Sequence, residues 1–364
     1  MLEIFYEERF SKIPIFDRKI SLNVSPTILY GPPRSGKTFL VFALLSTLPP
    51  ESYLYIDCHD LRIDLYRLHQ ELIPFVKSHP ISLVVLDNYE HTLPLPPVTT
   101  ILITRTPFSL SGFTTQRLLP LDFEEYLSFW YKLSPDRKAP TVANLFTHFL
   151  KEGSLPEIVT QHDPLKTQRF QEILTLLAPH GAARALLFFL FRHMGFKLSA
   201  HQIYSQIKQI APLSKDKTYA LLRQFEESLI VVSISRYGAN KGTKKYYPYD
   251  FGLAMGLSLS KEIFRSFETM IAWHLLRRNL PLYYTEGIDF FIPSLNMAIL
   301  AIPFATDEIV RGRISKLYIE LRSLAISHVT LVTMGLTSEL NFEAIRCQAI
   351  PFWDWATQET EGGM

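Results

Sequence analysis

The sequence has only two cysteines, Cys58 and Cys347, and they lie far apart along the chain. This number and spacing argue against a disulfide framework and do not fit the closely spaced cysteine pairs of zinc sites. Residues 1–10 carry three glutamates, whereas a secretory signal needs a basic stretch followed by an apolar one. We therefore expect a cytoplasmic protein without disulfides.

Long apolar runs and an excess of one charge are missing as well. The most apolar segment, 185–191 (ALLFFLF), is flanked by arginines and is far shorter than the roughly 20 residues that cross a bilayer. It predicts a buried helix and no membrane partner. The chain has 37 basic and 35 acidic residues, a net charge of +2. Any nucleic-acid partner must therefore be held by a local basic patch.

What is present is an ordinary globular composition, with 47% hydrophobic residues, in a chain long enough for two or three domains. Between residues 27 and 150, short apolar runs alternate with helical or loop segments, as in a parallel sheet with crossover helices. The runs lack polar alternation, which is typical of strands covered on both faces. They are 27–30 (TILY), 53–56 (YLYI), 83–86 (LVVL) and 101–104 (ILIT). We predict an α/β fold with a parallel sheet.

Residues 31–38 (GPPRSGKT) satisfy G-x-x-x-x-G-K-[ST], the Walker A pattern of a phosphate-binding loop. The loop follows strand 27–30 and precedes an amphipathic helix predicted over 39–48. Its glycines let successive N–H groups turn towards a phosphate; Lys37 would reach the β- and γ-phosphates, and the Thr38 hydroxyl would coordinate Mg²⁺. ATP and Mg²⁺ are the predicted ligands, with GTP left open. The predicted nucleotide contacts are Gly31, Pro32, Pro33, Arg34, Ser35, Gly36, Lys37 and Thr38.

The run 83–86 ends in Asp87, as a Walker B strand should, and the Asp87 carboxylate would hold Mg²⁺ together with Thr38. The alternative is that Asp87 only caps the next turn. Many hydrolysing relatives place a glutamate directly after this aspartate, but here Asn88 follows, with Glu90 two positions on. Asparagine orients water but cannot accept its proton. We expect slow hydrolysis with Glu90 as a substitute base. The predicted catalytic residues are Lys37, Asp87, Asn88 and Glu90.

The run 101–104 ends in Thr104, a predicted nucleotide contact that could sense the γ-phosphate or serve the strand alone. Arg105 and Arg117 are candidates for an arginine finger supplied across a subunit interface. Neither arginine stands out, so a homo-oligomer stays an open question.

From residue 123 the pattern turns helical, with helices over 123–131 and 142–152 and a stop at Gly153, which predicts a helical lid.

A second pattern, between residues 195 and 250, predicts helix, turn, helix and hairpin, the order of a winged helix. Ser199 is expected to cap a helix over 200–209 and Ser214 a second helix to residue 227. The second helix should bury Tyr219, Leu222 and Phe225 on its inner face. Strands over 229–235 and 244–249 would form the hairpin.

This winged-helix segment carries nine basic residues against four acidic ones. They concentrate at the start of the second helix and in the hairpin, where the phosphates of a duplex would lie. Double-stranded DNA bound through residues 214–245 is one interpretation; packing or protein contact is the other. Gln224 alone is placed for a clear base contact, so any DNA binding should be weakly selective. The basic residues are Lys197, Lys208, Lys215, Lys217, Arg223, Arg236, Lys241, Lys244 and Lys245.

Several stretches together resemble one family, the archaeal-type AAA ATPases that also occur in bacteria. The first set is GPPRSGKT (31–38), YLYIDCHD (53–60), LVVLDNYE (83–90), RLLPLDFEEYL (117–127) and KEGSLPEIV (151–159). Later ones are YYPYDFGL (246–253), FETMIAWHLL (267–276), GIDFFI (287–292) and AIPFWDW (349–355). The resemblance implies an ASCE-type nucleotide-binding sheet, then a winged helix and a C-terminal domain that resembles restriction endonucleases.

Departures from the family pattern bear on activity. The family usually has Asp-Glu at its Walker B position and often Gly-Ser after the fourth strand, where this chain has Asp87-Asn88 and Arg105-Thr106.

The nuclease-like part departs further. Glu268 and Asp289 match two acidic positions, but Gly287 replaces a third and residues 301–303 (AIP) stand where Glu-x-Lys is expected. Metal-dependent cleavage needs carboxylates and usually a lysine near the nucleophilic water. We do not expect this part to cut DNA.

The sequence thus predicts four parts: a P-loop nucleotide-binding domain (1–122), a helical lid (123–164), a winged-helix domain (165–258) and a degenerate endonuclease-like α/β domain (259–364). Two functions stay open. One is a slow Mg²⁺-dependent ATPase whose nucleotide state acts on the attached domains. The other is a DNA-binding regulatory module that uses ATP as a switch ligand without hydrolysing it. The sequence identifies no protein client.

Overall fold

The computed structural model describes residues 1–8, 10, 16–90, 93–133, 140–239, 242–257 and 262–358. The chain divides into two compact units. Unit 1 comprises Met1–Leu121 and Glu227–Leu229, and unit 2 comprises Asp122–Glu226 and Ile230–Met364. The finer division into four domains stays a prediction. Across the described ranges, no helix combines the length and apolar character that crossing a membrane requires.

Unit 1 is built on five parallel strands. They are β1 (Thr27–Tyr30), β2 (Tyr53–Asp57), β3 (Leu83–Asp87), β4 (Thr99–Thr104) and β5 (Thr114–Arg117). The order in the sheet is β2-β3-β4-β1-β5. This confirms the predicted α/β fold and parallel sheet. The strand β4 separates the strand before the Walker A loop from the strand that ends in Asp87, which is the ASCE arrangement that the resemblance implies.

Successive residues of a strand point to opposite faces of the sheet, and the helices of unit 1 pack on both faces. Leu54 and Ile56 share a core with two of the helices, while Tyr53 and Tyr55 share a core with the third. The helices are α1 (Leu2–Tyr6), α2 (Lys37–Leu45) and α3 (Leu65–Ser78). α2 begins two residues earlier than predicted, so Lys37 and Thr38 form its first turn.

The helices after unit 1 include the two predicted for a lid. They are α4 (Phe123–Leu133), α5 (Val142–Glu152), α6 (Pro156–Val159), α7 (Asp163–Leu177), α8 (Gly181–Arg192), α9 (Ala200–Ile207), α10 (Lys215–Glu227), α11 (Ile263–Leu276), α12 (Asp307–Ser323) and α13 (Phe352–Gln358). α5 has the predicted bounds and ends at Gly153, whose φ is 79°. α8 contains the apolar run 185–191 and buries most of it.

In the described residues of unit 2, nine strands form one sheet. They are β6 (Lys197–Leu198), β7 (Val231–Arg236), β8 (Lys244–Pro248), β9 (Tyr283–Tyr284), β10 (Phe290–Ile292), β11 (Met297–Ala301), β12 (His328–Thr333), β13 (Ser338–Phe342) and β14 (Ile345–Pro351). Their order is β13-β14-β12-β11-β10-β9-β7-β8-β6. The hairpin β7–β8 belongs to this sheet because β7 pairs with β9, Ser235 opposite Tyr283.

The helix-helix-hairpin segment has the predicted element order. Ser199 forms a capping box with Gln202 at the start of α9, and Ser214 Oγ accepts a hydrogen bond from the Lys217 amide of α10. One expectation is wrong: the Tyr219 side chain is 41% exposed, and Thr218 is buried in its stead. Leu222 and Phe225 are buried as predicted, so only the first position of the inner face of α10 differs.

Candidate nucleotide-binding site

The Walker A loop leaves β1 after Tyr30 and enters α2 at Lys37. Gly31 has φ 155°, and a Cβ there would lie 2.0 Å from the carbonyl oxygen of Leu118. Gly36 has φ 96°, in the left-handed region, and directly precedes the first turn of α2. Both glycines of the motif are therefore required by the backbone, since a side chain at either position would clash or be strained.

The interior of the loop has the polar character that a phosphate needs. Among the described residues, no side chain caps the N-terminus of α2, so its first-turn amides and the positive end of its dipole are available to an anion. Ser35 is fully buried, and its hydroxyl oxygen has no hydrogen-bond partner in the described part of the chain. An unpaired buried hydroxyl is costly, and a bound oxyanion would satisfy it.

The Lys37 ammonium group folds back onto its own loop. Nζ donates hydrogen bonds to the carbonyl oxygens of Gly31 (2.8 Å) and Pro32 (2.9 Å). Burial lowers the pKa of Lys37 to about 8, although the nearby Asp87 carboxylate acts in the opposite direction and Arg105 lowers the pKa further. The half-buried ammonium group, whose hydrogen bonds go to two carbonyl oxygens, would gain from a phosphate placed beside it.

Asp87 joins the Walker A and Walker B segments. The Thr38 hydroxyl donates a hydrogen bond to Asp87 Oδ2 (2.6 Å), although the two residues lie far apart in sequence. The Tyr55 hydroxyl donates to the same oxygen (2.9 Å). Asp87 is only 3% exposed, and burial raises its pKa against the effect of these hydrogen bonds. The two residues predicted to share Mg²⁺ are therefore in contact. Tyr55 was not predicted to be in the site.

Asn88 and Glu90, the two candidates for handling water, differ in their surroundings. Asn88 Nδ2 donates a hydrogen bond to Asp57 Oδ1 (2.8 Å), and the Asn88 backbone N–H donates to Asp87 Oδ1 (2.7 Å). The Glu90 side chain is 71% exposed, and its Oε1 lies 3.1 Å from His59 Nε2. The structure thus brings Asn88 to Asp87 and leaves Glu90 on the surface with His59.

Thr104 lies beside the start of the loop, because β4 pairs with β1 so that Thr104 is opposite Tyr30. Its side chain is buried and donates a hydrogen bond to the carbonyl of Thr106 (2.8 Å). Arg117 flanks Tyr30 on the other side, at the end of β5. The sensor and arginine-finger roles stay predictions.

One arginine that the sequence analysis missed holds the loop from outside. Arg18 Nη1 donates a hydrogen bond to the Ser35 carbonyl (2.8 Å), and Nη2 donates to the Leu119 carbonyl (2.7 Å). The guanidinium group therefore connects the Walker A loop to the segment after β5. No sequence pattern identifies Arg18, because its partners are backbone atoms that any residue supplies.

Unit 2 brings Glu268 and Asp289 together around a lysine. Lys245 Nζ donates a hydrogen bond to Glu268 Oε1 (2.7 Å) and lies 3.6 Å from Asp289 Oδ1. The Tyr247 hydroxyl also donates to Glu268 Oε1 (2.7 Å). Within the described ranges, no group of three or more His, Cys, Asp or Glu side chains could hold a metal ion.

The cluster corrects the expected position of Lys245, which is 5% exposed and not on the surface of the hairpin. Lys244 donates a hydrogen bond to Ser233 Oγ (3.1 Å) and lies 3.5 Å from Glu226 Oε1. Lys241 lies outside the described residues. The hairpin therefore offers less accessible positive charge than its sequence indicated.

Positive charge remains accessible at α10 and beside it. These exposed residues are Lys208, Lys215, Lys217 and Arg223. The two other basic residues of the segment, Lys197 and Arg236, each lie 3.7 Å from a Glu286 carboxylate oxygen.

The fold and the loop together define the class of unit 1. A parallel sheet in this order, with a Walker A loop after β1 and a buried aspartate at the end of β3, is the fold of the P-loop ATPases.

Comparison with known proteins gives distant likenesses. No protein-family model matches the sequence. A protein of Methanocaldococcus jannaschii described as uncharacterised is 23% identical over 408 residues, 95% of this chain and 92% of that protein. The Walker-type ATPase of Pyrococcus abyssi aligns with a TM-score of 0.46 and 16% identity, over 68% of this chain and 97% of its own. The Orc1 protein of Aeropyrum pernix, solved in complex with DNA, has a TM-score of 0.35 and 12% identity, over 70% and 88%. Ligands and activity must therefore be argued from the residues of this chain.

Proposed function

We propose that unit 1 binds ATP with Mg²⁺ and hydrolyses it slowly. The observation that carries this proposal is the 2.6 Å hydrogen bond between the Thr38 hydroxyl and Asp87 Oδ2. A hydroxyl at the first turn of a P-loop helix and a strand-end carboxylate are the hard oxygen ligands that Mg²⁺ prefers.

The residues around this contact have distinct roles in the proposal. Thr38 and Asp87 would hold Mg²⁺, which when bound neutralises charge that develops on the phosphates. Lys37 would exchange its two carbonyl partners for phosphate oxygens, and the amides at the start of α2 would donate to the same anion. Ser35 would satisfy its buried hydroxyl there. Turnover is expected to be slow because the residue after Asp87 is an amide and not a carboxylate.

Purified full-length protein should release phosphate from ATP in a Mg²⁺-dependent manner. Lys37→Ala should abolish release and weaken ATP binding measured by calorimetry, because the ammonium group is the main positive charge in the loop. Lys77→Ala is the matched control, since Lys77 is an exposed lysine of α3 in the same unit. Equal release by the Lys37→Ala variant would contradict a P-loop mechanism. Binding without any release would leave ATP as a switch ligand, the alternative function.

The proposal extends to unit 2, where α4 and α5 would act as a lid, α9, α10 and the hairpin as a winged helix, and the C-terminal strands as a nuclease-like part without cleavage activity. Two features support the last point. An ammonium group already lies beside both acids, since Lys245 Nζ is 2.7 Å from Glu268 Oε1 and 3.6 Å from Asp289 Oδ1. Ala301 stands where the glutamate of Glu-x-Lys is expected, and its backbone N–H donates a hydrogen bond to Asp289 Oδ2 (3.0 Å). Nucleotide state would act on this unit.

A second candidate function, DNA binding, is favoured by the exposed lysines of α10. Among the described residues, Lys215 and Lys217 have no carboxylate within ion-pair distance, unlike Lys244 and Lys245. The Lys215→Ala/Lys217→Ala variant should weaken duplex retention and lower the salt slope of log affinity by up to about 2. Lys151→Ala/Lys316→Ala is a control with the same loss of charge on other exposed lysines of unit 2. Equal retention by both variants would remove α10 from the interface.

A further inference from the structure

Asp57 and Asn88 form a hydrogen-bonded pair beside the Walker B aspartate. Parallel pairing of β2 and β3 places Asp57 opposite Asp87, so both carboxylates lie at the same edge of the sheet. Asn88 follows Asp87 with φ 53°, in the left-handed region that asparagine tolerates. Its side chain then turns to Asp57, where Nδ2 donates to Oδ1 (2.8 Å). The His59 backbone N–H donates to the same oxygen (3.0 Å).

This pairing fixes which atom Asn88 presents to its surroundings. An ionised carboxylate only accepts hydrogen bonds, so the amide nitrogen must face Asp57 and the amide oxygen must point elsewhere. In the described part of the chain, Asn88 Oδ1 has no hydrogen-bond partner. The half-buried side chain therefore offers one oriented acceptor next to Asp87.

We infer that Asp57 is a positioning residue for hydrolysis and acts through Asn88; the inference rests on the ATPase function proposed above. Asp57 holds the amide so that Asn88 Oδ1 accepts a hydrogen bond from the attacking water. The water oxygen forms a bond to the γ-phosphorus while the bond from this phosphorus to the bridging oxygen breaks. The electron pair stays with ADP, and the water proton passes to an oxygen of the released phosphate. The amide orients the water without taking its proton, as a glutamine does in some GTPases.

The geometry favours this pair over Glu90, the carboxylate two positions after Asn88. Glu90 is largely exposed and faces His59, whereas Asn88 is tied at its backbone to Asp87 and at its side chain to Asp57. An acceptor anchored at two points loses little freedom when water binds, which is what orientation of a nucleophile requires.

Three variants test the pair. Asp57→Ala removes the acceptor and frees the amide, and kcat should fall about tenfold or more while KM and the Kd for ATP change less than twofold. Asn88→Asp places two carboxylates together and should also lower kcat. Asp57→Asn/Asn88→Asp reverses the donor and acceptor of the hydrogen bond and keeps an oriented acceptor at position 88. It should recover kcat relative to Asn88→Asp alone. Asp60→Asn, which changes a carboxylate paired with Arg62 at the surface, is the control.

The outcomes distinguish a failure of this inference from a failure of the proposed ATPase function. Variants whose thermal midpoints and ATP affinities match the wild type show that the fold is intact, so a fall confined to kcat supports positioning. The inference would be wrong if the kcat of Asp57→Ala stayed within twofold of the wild type, or if the kcat of Asp57→Asn/Asn88→Asp did not exceed that of Asn88→Asp. Neither result would contradict the ATPase function. ATP uptake without turnover in the wild type would defeat both the inference and the proposed hydrolysis, and would leave ATP as a switch ligand. A wild type that takes up no ATP would defeat the proposed function itself.

Discussion

At the scale of single residues, the Lys37 ammonium group lies against two carbonyls of its own loop, in surroundings that disfavour its charge. Its pKa is lowered from an ordinary value of 10.5 to about 8 in the folded chain. Between these two values the unfolded chain binds more protons than the folded one, so stability must increase with pH across that range. Below about pH 8 the folded chain carries the full cost of the buried charge.

The Lys37→Met variant makes this cost measurable. Without nucleotide, the unfolding free energy of the wild type relative to Lys37→Met should rise between about pH 8 and pH 10, by on the order of 1 to 3 kcal/mol. Urea unfolding at several pH values measures the difference, in which all other titrating groups cancel. The difference in unfolding free energy between the wild type and Lys77→Met should not change with pH. A flat result for Lys37→Met as well would mean that the Lys37 pKa is not lowered.

The sequence could predict Thr38 and Asp87 because each belongs to a motif whose spacing follows from the chemistry of a phosphate or a metal. Tyr55, Asp57 and Arg18 belong to no such motif. Their contacts arise because strands distant in the chain become neighbours and because backbone carbonyls serve as partners. The prediction of Glu90 as a substitute base depends only on its closeness to Asp87 in the sequence. In the folded chain, the turn after β3 places the Glu90 side chain at the surface.

At the scale of elements, the buried Lys245 ammonium group of the hairpin β7–β8 contacts Glu268 of α11 and Asp289, the residue before β10. Lys245 and Glu268 are both less than a tenth exposed. Lys245→Met should cost up to about 3–5 kcal/mol of unfolding free energy, because it leaves the buried Glu268 carboxylate with the Tyr247 hydroxyl and, at 3.7 Å, the Arg265 guanidinium group. Lys245→Met/Glu268→Gln should recover much of that loss. Thermal or urea unfolding measures both. Lys244→Met, at the half-exposed neighbouring position, should cost no more than about 1 kcal/mol; equal costs at the two positions would contradict the burial argument.

Element bounds were predictable where an apolar run and a stop coincide. β1 and α5 have the predicted bounds, since Gly31 and Gly153 end them. β5 was missed because it is a polar, partly exposed edge strand with no apolar run to reveal it. α2 begins earlier than predicted because its first turn consists of the motif residues Lys37 and Thr38, which carry no helical apolar pattern.

At the scale of the whole molecule, the coupling of nucleotide state to unit 2 has a direct test. MgATP at about a hundred times its Kd stabilises the binding-competent fold by about 2.7 kcal/mol. Amide exchange measured by mass spectrometry should therefore slow in residues 31–45 and, with coupling, also in residues 200–248. Lys37→Ala should show neither change. Protection confined to unit 1 would mean that the nucleotide acts on unit 1 alone.

The parallel sheet of unit 1 could be predicted because apolar runs form its three interior strands and one of its two edge strands. The nine-stranded sheet of unit 2 could not be predicted. Its junction is the pairing of Ser235 and Arg236 with Tyr283 and Tyr284, two-residue contacts too short to leave a periodic pattern. For the same reason, the predicted domain boundary at residue 258 falls between the hairpin and the C-terminal strands.

The pairing of β7 with β9 also constrains how the sequence of this chain can evolve. Because the hairpin pairs with β9 and its Lys245 contacts Glu268 and Asp289, shortening or replacing the hairpin would disturb residues later in the chain. Loss of Lys245 would remove the ammonium group that lies beside both Glu268 and Asp289, so substitutions at these three positions should be inherited together.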